Sequence, residues 1–377
     1  MLRILSGLRN VTKCEPCKAE SFVFRLHSRV TFLLLMFCCF LVSTSIFSGT
    51  KISCHSNAPS EIRVSVLESY CWAASTYSVS SAYLDEVGVE ASHPGISSSE
   101  SESEYIYRNY YQYLHLVLFI QAMLFYFPHL LMKNIDQNHM KELYALICLC
   151  KTKLVDERKA GKKDDAENNS EEKAFDAAVN YVERRWGLHK GFAYRCMFCE
   201  LLAVINIVVQ SCCLDIFFHG KFMSLGLLFS AYYSSGRFND PIKLFPLVTS
   251  CYFRRIGESG HVDVVDAYCI LPINALNAKI FLFLWVWFSI LFSLSLINII
   301  DIFSCFLFSK YRTWTLKIKG TLLNSECGDY THLLAFGNIG DSFVLSSVKQ
   351  AMNEVDFLCF VKALRLKVAS IEEATSK

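Results

Sequence analysis

Charge is what this chain is short of. Charged residues make up 19% of its 377 positions, against about a quarter in an ordinary soluble domain. Glycine (16) and proline (7) are sparse beside 30 phenylalanines, which argues against a loop-rich β fold and suits helices that face lipid. The signatures of catalysis are missing as well. Neither HExxH nor GxSxG occurs, and the Gly-Asn-Ile-Gly at 337–340 lacks the Gly-Lys-Ser/Thr of a phosphate-binding loop. No enzyme activity and no cofactor is expected. Cys14-Glu-Pro-Cys17 has no second pair near it, and a zinc site needs four ligands, so the pair reads as two reduced thiols and no metal is expected. A net charge of +2 says nothing useful about acidic partners, its distribution along the chain says more, and no nucleic-acid partner is expected.

The shortage of charge is concentrated in blocks. There are 21 uncharged residues between Arg29 and Lys51, 24 between Arg108 and Lys133, and 21 between Lys279 and Asp301. A helix needs roughly 20 mostly apolar residues to cross ~30 Å of hydrocarbon, so each block qualifies. A fourth block, 196–218, carries Glu200, Asn206, Gln210 and Asp215, with 14 uncharged residues between the two acids. Ionisable groups at that depth are costly, so they should face the bundle interior or sit near the interfaces, and Glu200, Asn206 and Gln210 should sit between helices, where polar residues hold a bundle together. The expected organisation is a cytosolic segment 1–29, spans at 30–49, 113–132, 196–218 and 280–308, outer loops 50–112 and 219–279, a middle loop 133–195 and a tail 309–377. The fold class is therefore an all-α, four-transmembrane-helix bundle. The first span starts near residue 30 and is long enough to remain in the bilayer, so it should serve as a signal anchor rather than a cleaved peptide. Residues 222–236 form a further uncharged run of 15, short for a span, and read as a re-entrant or extracellular helix.

Basic residues set the orientation. Lysine and arginine number 6 in residues 1–29, 13 in 133–195 and 9 from residue 310 onward, against 3 in 50–112 and 6 in 219–279. The positive-inside rule places both termini and the middle loop in the cytosol. That sorts the 17 cysteines. Cys54 and Cys71 fall in the first outer loop, Cys251 and Cys269 in the second. Outside the cell disulfides persist, so these four should form two bridges, and spacing leaves all three pairings open. Cys148 and Cys150, near the membrane on the inner side, are reduced thiols or palmitoylation sites. The sequons at Asn10 and Asn168 lie on the cytosolic side and should be silent.

Other features have plain readings. Tyr110-Tyr111-Gln112-Tyr113 stands where the second span meets the outer surface, the level at which amphipathic aromatic rings anchor. Pro128, toward the inner end of that span, removes a backbone donor and bends or hinges the helix. His115 and His129 are candidate pH-responsive groups. The charged run 151–173 reads as solvated or partly disordered. Leu2, Ile4, Leu5, Leu8 and Val11 recur at helical spacing, as in an amphipathic helix on lipid.

Several motifs, in one order, carry a family resemblance. They are Phe22–Leu35 ("FVFRLHSRVTFLLL"), the Tyr-Cys-Trp of "ESYCWAASTYSV" at 68–79, and His-Pro-Gly at 93–95. Then come "YRNYYQYLHLVLFIQAMLFYFPHLLMK" at 107–133 and, closest of all, residues 240–288, with Phe-Pro, both cysteines, Gly-x-Ser-Gly and Leu-Pro-x-Asn before an aromatic span. The chain resembles the innexins from about residue 20 to 310, with a weaker echo in "LLAFGNIGDSFVLSS". Tyr113 where the family has Trp, the absence of an acid before Cys54, and the CxxC mark a divergent member.

The resemblance implies a gap-junction subunit in the plasma membrane, passing ions and small molecules. It further implies a homo- or hetero-oligomer, hexameric or octameric, surrounded by lipid and docked to a hemichannel on the adjacent cell. It implies bridges that join one outer loop to the other, Cys54 with Cys269 and Cys71 with Cys251, with Trp72 packed against them. It implies a role for Tyr110, Tyr111, Gln112 and Pro128 in the interface or in gating. It also places the N-terminal segment at the cytoplasmic pore mouth, where Arg3 and Arg9 would favour anions. Alternatives are an undocked hemichannel releasing small molecules, or a poreless four-helix adhesion or scaffold protein. The long middle loop and the cysteine pattern differ from claudins and tetraspanins.

Overall fold

The computed structural model describes residues 20–56, 63–83, 85, 89, 92–97, 105–139, 142–143, 145–147, 165–235, 244–256, 259–311, 314, 338–352 and 354–375. Arg3, Arg9, the Cys14–Cys17 pair, Cys148 and Cys150 lie outside them. In chain order the elements are α1 (Phe22–Ser48), β1 (Ser53–Ser56), α2 (Val64–Ala74), β2 (Thr76–Val79), β3 (Tyr105–Arg108) and α3 (Leu114–His139). They continue with α4 (Asp165–Arg184), α5 (Lys190–Phe217), α6 (Leu225–Ser235), β4 (Val248–Ile256), β5 (Val262–Ile270), α7 (Pro272–Leu307), α8 (Ile339–Ala351) and α9 (Glu354–Thr375).

Among the described residues four helices, α1, α3, α5 and α7, are long and apolar enough to cross a membrane. Each buries a stripe at spacings of three and four, the signature of one helix face turned to a core. In α5 the stripe is Cys196, Cys199, Ala203, Ile207, Gln210 and Leu214; in α7 it is Asn277, Phe281, Leu284, Phe288 and Leu291. Their other faces are apolar and exposed, as at Phe40 and Phe47 on α1, Ile205 and Ile216 on α5, and Ile297 and Ile300 on α7. A soluble bundle would place polar residues there. α6, at 11 residues, spans about 16 Å at 1.5 Å per residue and is too short to cross.

The chain divides into two units, and the division falls within each long helix, at Arg25/Leu26, Tyr126/Phe127, Ala203/Val204 and Leu294/Ser295. The unit made of Leu26–Tyr126 and Val204–Leu294 holds the outer loops. Its helical core joins Leu35 and Val42 of α1, Leu118 and Phe125 of α3, and Phe281 and Phe288 of α7. A π-turn at Leu26–Val30 interrupts α1. Beside it the Thr31 hydroxyl donates to the Leu26 carbonyl at 3.0 Å and accepts the indole N–H of Trp287 at 3.0 Å, so the irregular backbone keeps its polar groups engaged. Polar contacts also join the helices here, with the Gln121 side-chain amide donating to the Gln210 carbonyl at 3.5 Å.

The other unit, Met1–Arg25, Phe127–Ala203 and Ser295–Lys377, packs α4, α8 and α9 around Val179, Val182, Val344, Val348, Phe360 and Leu364. Residues 165–173, the latter part of the run expected to be solvated, are helical as the first half of α4. The physical reason lies further along the same helix. Phe175, Ala178, Val179 and Val182 repeat at helical spacing, and Phe175 packs edge-on to Phe360 of α9 at 6.1 Å, so tertiary burial pulls a polar stretch into helix. In this unit Glu200 is buried, and its carboxylate accepts the Asn298 side-chain N–H at 3.0 Å. Pro128 is buried inside α3, which continues to His139, and His129 next to it lies 2.7 Å from the Glu20 carboxylate.

Candidate functional site

The outer loops fold into a five-stranded antiparallel sheet of order β1-β5-β4-β2-β3. The first loop contributes β1, β2 and β3, the second β4 and β5, so the two loops interleave across one sheet. Alternation in β5 explains the placement. Val265, Ala267 and Cys269 face inward while Val264, Asp266, Tyr268 and Ile270 face out, the period-two pattern of a strand with one covered face.

Register then fixes the bridges. Cys54 on β1 lies opposite Cys269 on β5, and the two are bonded. Cys71, one turn after the buried Leu67 on α2, is bonded to Cys251 on β4. All four are buried, and the sulfurs of Cys54, Cys71 and Cys269 lie within 4.8 Å of one another, so the two bridges form one covalent knot between the loops. Trp72, Tyr70 and Phe253 pack against it.

Tyr110, Tyr111 and Gln112 serve this knot rather than the lipid surface. Tyr111 is fully buried with its ring 4.9 Å from that of Trp72. The Tyr110 hydroxyl donates to the Leu244 carbonyl at 2.7 Å, and the Gln112 side-chain amide donates to the carbonyl of Trp72. Burial pushes both phenols above the ordinary tyrosine range, so they remain hydroxyls. Of the cluster Tyr113 is the one left exposed, at 51%. Tyr113 stays on the surface, while the other two rings are drawn inward because protein groups replace interfacial water.

Other motifs acquire reasons. In His-Pro-Gly, Gly95 takes φ +83°, and a Cβ there would come within 2.6 Å of the Tyr83 ring; its N–H and carbonyl bond Ala82 and Val79. In Leu-Pro-x-Asn, the side-chain amide of Asn274 donates to the carbonyl of Pro246 at 2.9 Å, tying the Phe-Pro segment to the start of α7. The sheet itself and these two ties went unread in the sequence, although the alternation in 262–270 carried the signal.

A family model described as Innexin matches residues 20–368. The chain belongs to the innexin family. It is 32% identical to innexin shaking-B of Drosophila melanogaster over 97% of this chain and 94% of that one. It is 33% identical to innexin inx1 of Schistocerca americana over 78% of each, and 29% identical to innexin inx2 of Drosophila melanogaster over nearly the whole of both. As an innexin it is a gap-junction channel subunit, an oligomeric, multi-pass protein of the plasma membrane and a channel component rather than an enzyme. Four candidate spans and the bridges Cys54–Cys269 and Cys71–Cys251 accord with that membership.

Proposed function

We propose that copies of this innexin, six or eight to a ring and alone or mixed with other innexins, surround a central conduit, and that the ring docks end to end with one on the adjacent cell. Ions and small molecules pass passively. The observation that carries this reading is the double bridge between loops. A docking surface must hold its shape without a large core, and each disulfide adds typically ~2–4 kcal/mol against unfolding. Interleaved strands from both loops, crosslinked at Cys54–Cys269 and Cys71–Cys251, supply that stiffness. Tyr110, Tyr111 and Gln112 couple the sheet to the head of α3, and Pro128 is the bend available to gating within it. The segment 1–29 forms the cytoplasmic mouth, where Arg3 and Arg9 favour anions. Spans at 30–49, 113–132, 196–218 and 280–308 bound the outer loops 50–112 and 219–279.

Paired-cell electrophysiology tests this, with the chain expressed alone in both cells and Cys71→Ser alongside. Junctional current that the variant abolishes is the expected result. Surface expression without junctional current, but with conductance across a single membrane, would replace docking with hemichannel release. Conductance in neither arrangement would leave an obligate hetero-oligomer subunit or a poreless scaffold.

A further inference from the structure

A cavity of about 350 Å³ lies between the outer sheet and the ends of two spans, a size typical of small-ligand sites. Three of its lining residues are basic: Arg108 at the end of β3, and His219 and Lys221 just past the end of α5. Among the described residues that line it none is acidic. None of the three forms an ion pair with a carboxylate among the described residues, and the Nε–H of Arg108 is buried without an acceptor. Basic groups gathered with no counter-charge among the described residues, one with a stranded donor, point to an anion as partner. The remaining wall is apolar and aromatic, with Phe217, Tyr110 and Leu244. Tyr110 is held in place by its bond to the Leu244 carbonyl, so the wall is preformed.

Height identifies the anion. Arg108 precedes the start of α3 at Leu114 by six positions, and Lys221 follows the end of α5 at Phe217 by four. Both stand where spans leave the outer face of the bilayer, the level of phospholipid phosphates. A soluble anion would need only the three cations; an amphiphile would also use the apolar wall. We propose that this cavity binds the phosphodiester headgroup of an outer-leaflet phospholipid, with Arg108, His219 and Lys221 on the phosphate and the first acyl carbons against Phe217 and Leu244. The bound lipid then forms part of the seam between the docking sheet and the spans.

The test uses the purified full-length oligomer in detergent, with thermal unfolding followed as three water-soluble probes are titrated. These are dihexanoylphosphatidylglycerol, glycerol 3-phosphate and dihexanoylglycerol. The expected result is a saturable rise in Tm with the phospholipid alone, and an apparent affinity about tenfold weaker in Lys221→Gln, the loss of one charge-assisted contact. Arg108→Gln should weaken it further, and Lys221→Arg should restore wild-type binding. If Arg108→Gln does not assemble, the exposed Lys221 pair carries the comparison. An equal rise with dihexanoylglycerol would reduce the site to apolar binding. An equal rise with glycerol 3-phosphate would make the ligand a soluble phosphate, and a Lys221→Gln titration matching the wild type would remove the site altogether.

Discussion

Asp341 accepts the backbone N–H of Gly187 on both carboxylate oxygens, each at 3.1 Å, and so ties α8 of the tail to the turn that leads into α5. The same carboxylate accepts the Asn338 N–H at 2.8 Å, completing a capping box at the start of α8, while the Asn338 side chain donates to the Gly187 carbonyl at 3.0 Å. Gly340 lets the two segments meet, because a Cβ there would lie 2.2 Å from the His189 carbonyl carbon. Asn338, Ile339 and Gly340, from the motif that lacked a phosphate-loop lysine, form a docking cap.

Replacement at this cap should loosen the cytosolic unit. Asp341→Ala removes a cap worth ~1 kcal/mol and also strands the Gly187 N–H. Gly340→Ala forces backbone apart and should cost roughly 1–3 kcal/mol. Limited proteolysis of the purified full chain is the measurement, with cleavage near residues 187 and 338 accelerated in both variants. Unchanged cleavage would sink the assignment.

The same residue gives a pH dependence. Burial pushes the Asp341 carboxyl above the usual aspartate range, partly offset by the Asn338 and Gly187 N–H groups and by Lys190. The folded state therefore holds this proton more tightly than the unfolded chain. Its stabilising contribution is complete below the ordinary aspartate pKa, is lost as pH rises through the raised folded value, and is constant above that. Melting temperature followed upward from pH ~4 should fall more in the wild type than in Asp341→Asn; parallel profiles would remove the effect.

Between α5 and α7, Glu200 and Asn298 should be coupled. Asn298→Leu takes one donor from the buried Glu200 carboxylate, leaving it those of Ser21, and should cost roughly 1–3 kcal/mol, read as lost surface expression. Glu200→Gln keeps a hydrogen-bonding partner for Asn298 and removes the charge, so it should express near wild-type level. Equal losses in the two variants would point to shape rather than hydrogen bonding.

Removing one outer bridge should not be equivalent to removing the other. Cys54 and Cys269 sit on strands already paired along β1 and β5, whereas Cys71 joins a helix to β4. Thermal unfolding of the purified chain should therefore show a larger drop for Cys71→Ser with Cys251→Ser than for Cys54→Ser with Cys269→Ser, within the ~2–5 kcal/mol typical of lost native bridges. The reverse order would show that strand pairing contributes less than the register suggests.

The sequence by itself determined the membrane class, the four spans and the side on which the cysteines meet. Those properties follow from local quantities: the length of uncharged runs, the sign of loop charges, the chemistry of a thiol outside the cell. It also made Glu200 and Gln210 legible as interhelical groups, because no other position in a span tolerates them. Tertiary structure alone decided the rest. Spacing leaves three cysteine pairings, and strand register selects one, since Cys54 and Cys269 become neighbours only after residues 215 apart are brought into one sheet. Likewise Tyr110 and Tyr111 read as interfacial anchors until Trp72 and the Leu244 carbonyl arrive to bury them. A charged run became helix because Phe175 and Val179 found Phe360 and Leu364. Composition reports what each residue tolerates; only packing between distant segments determines which tolerance is used.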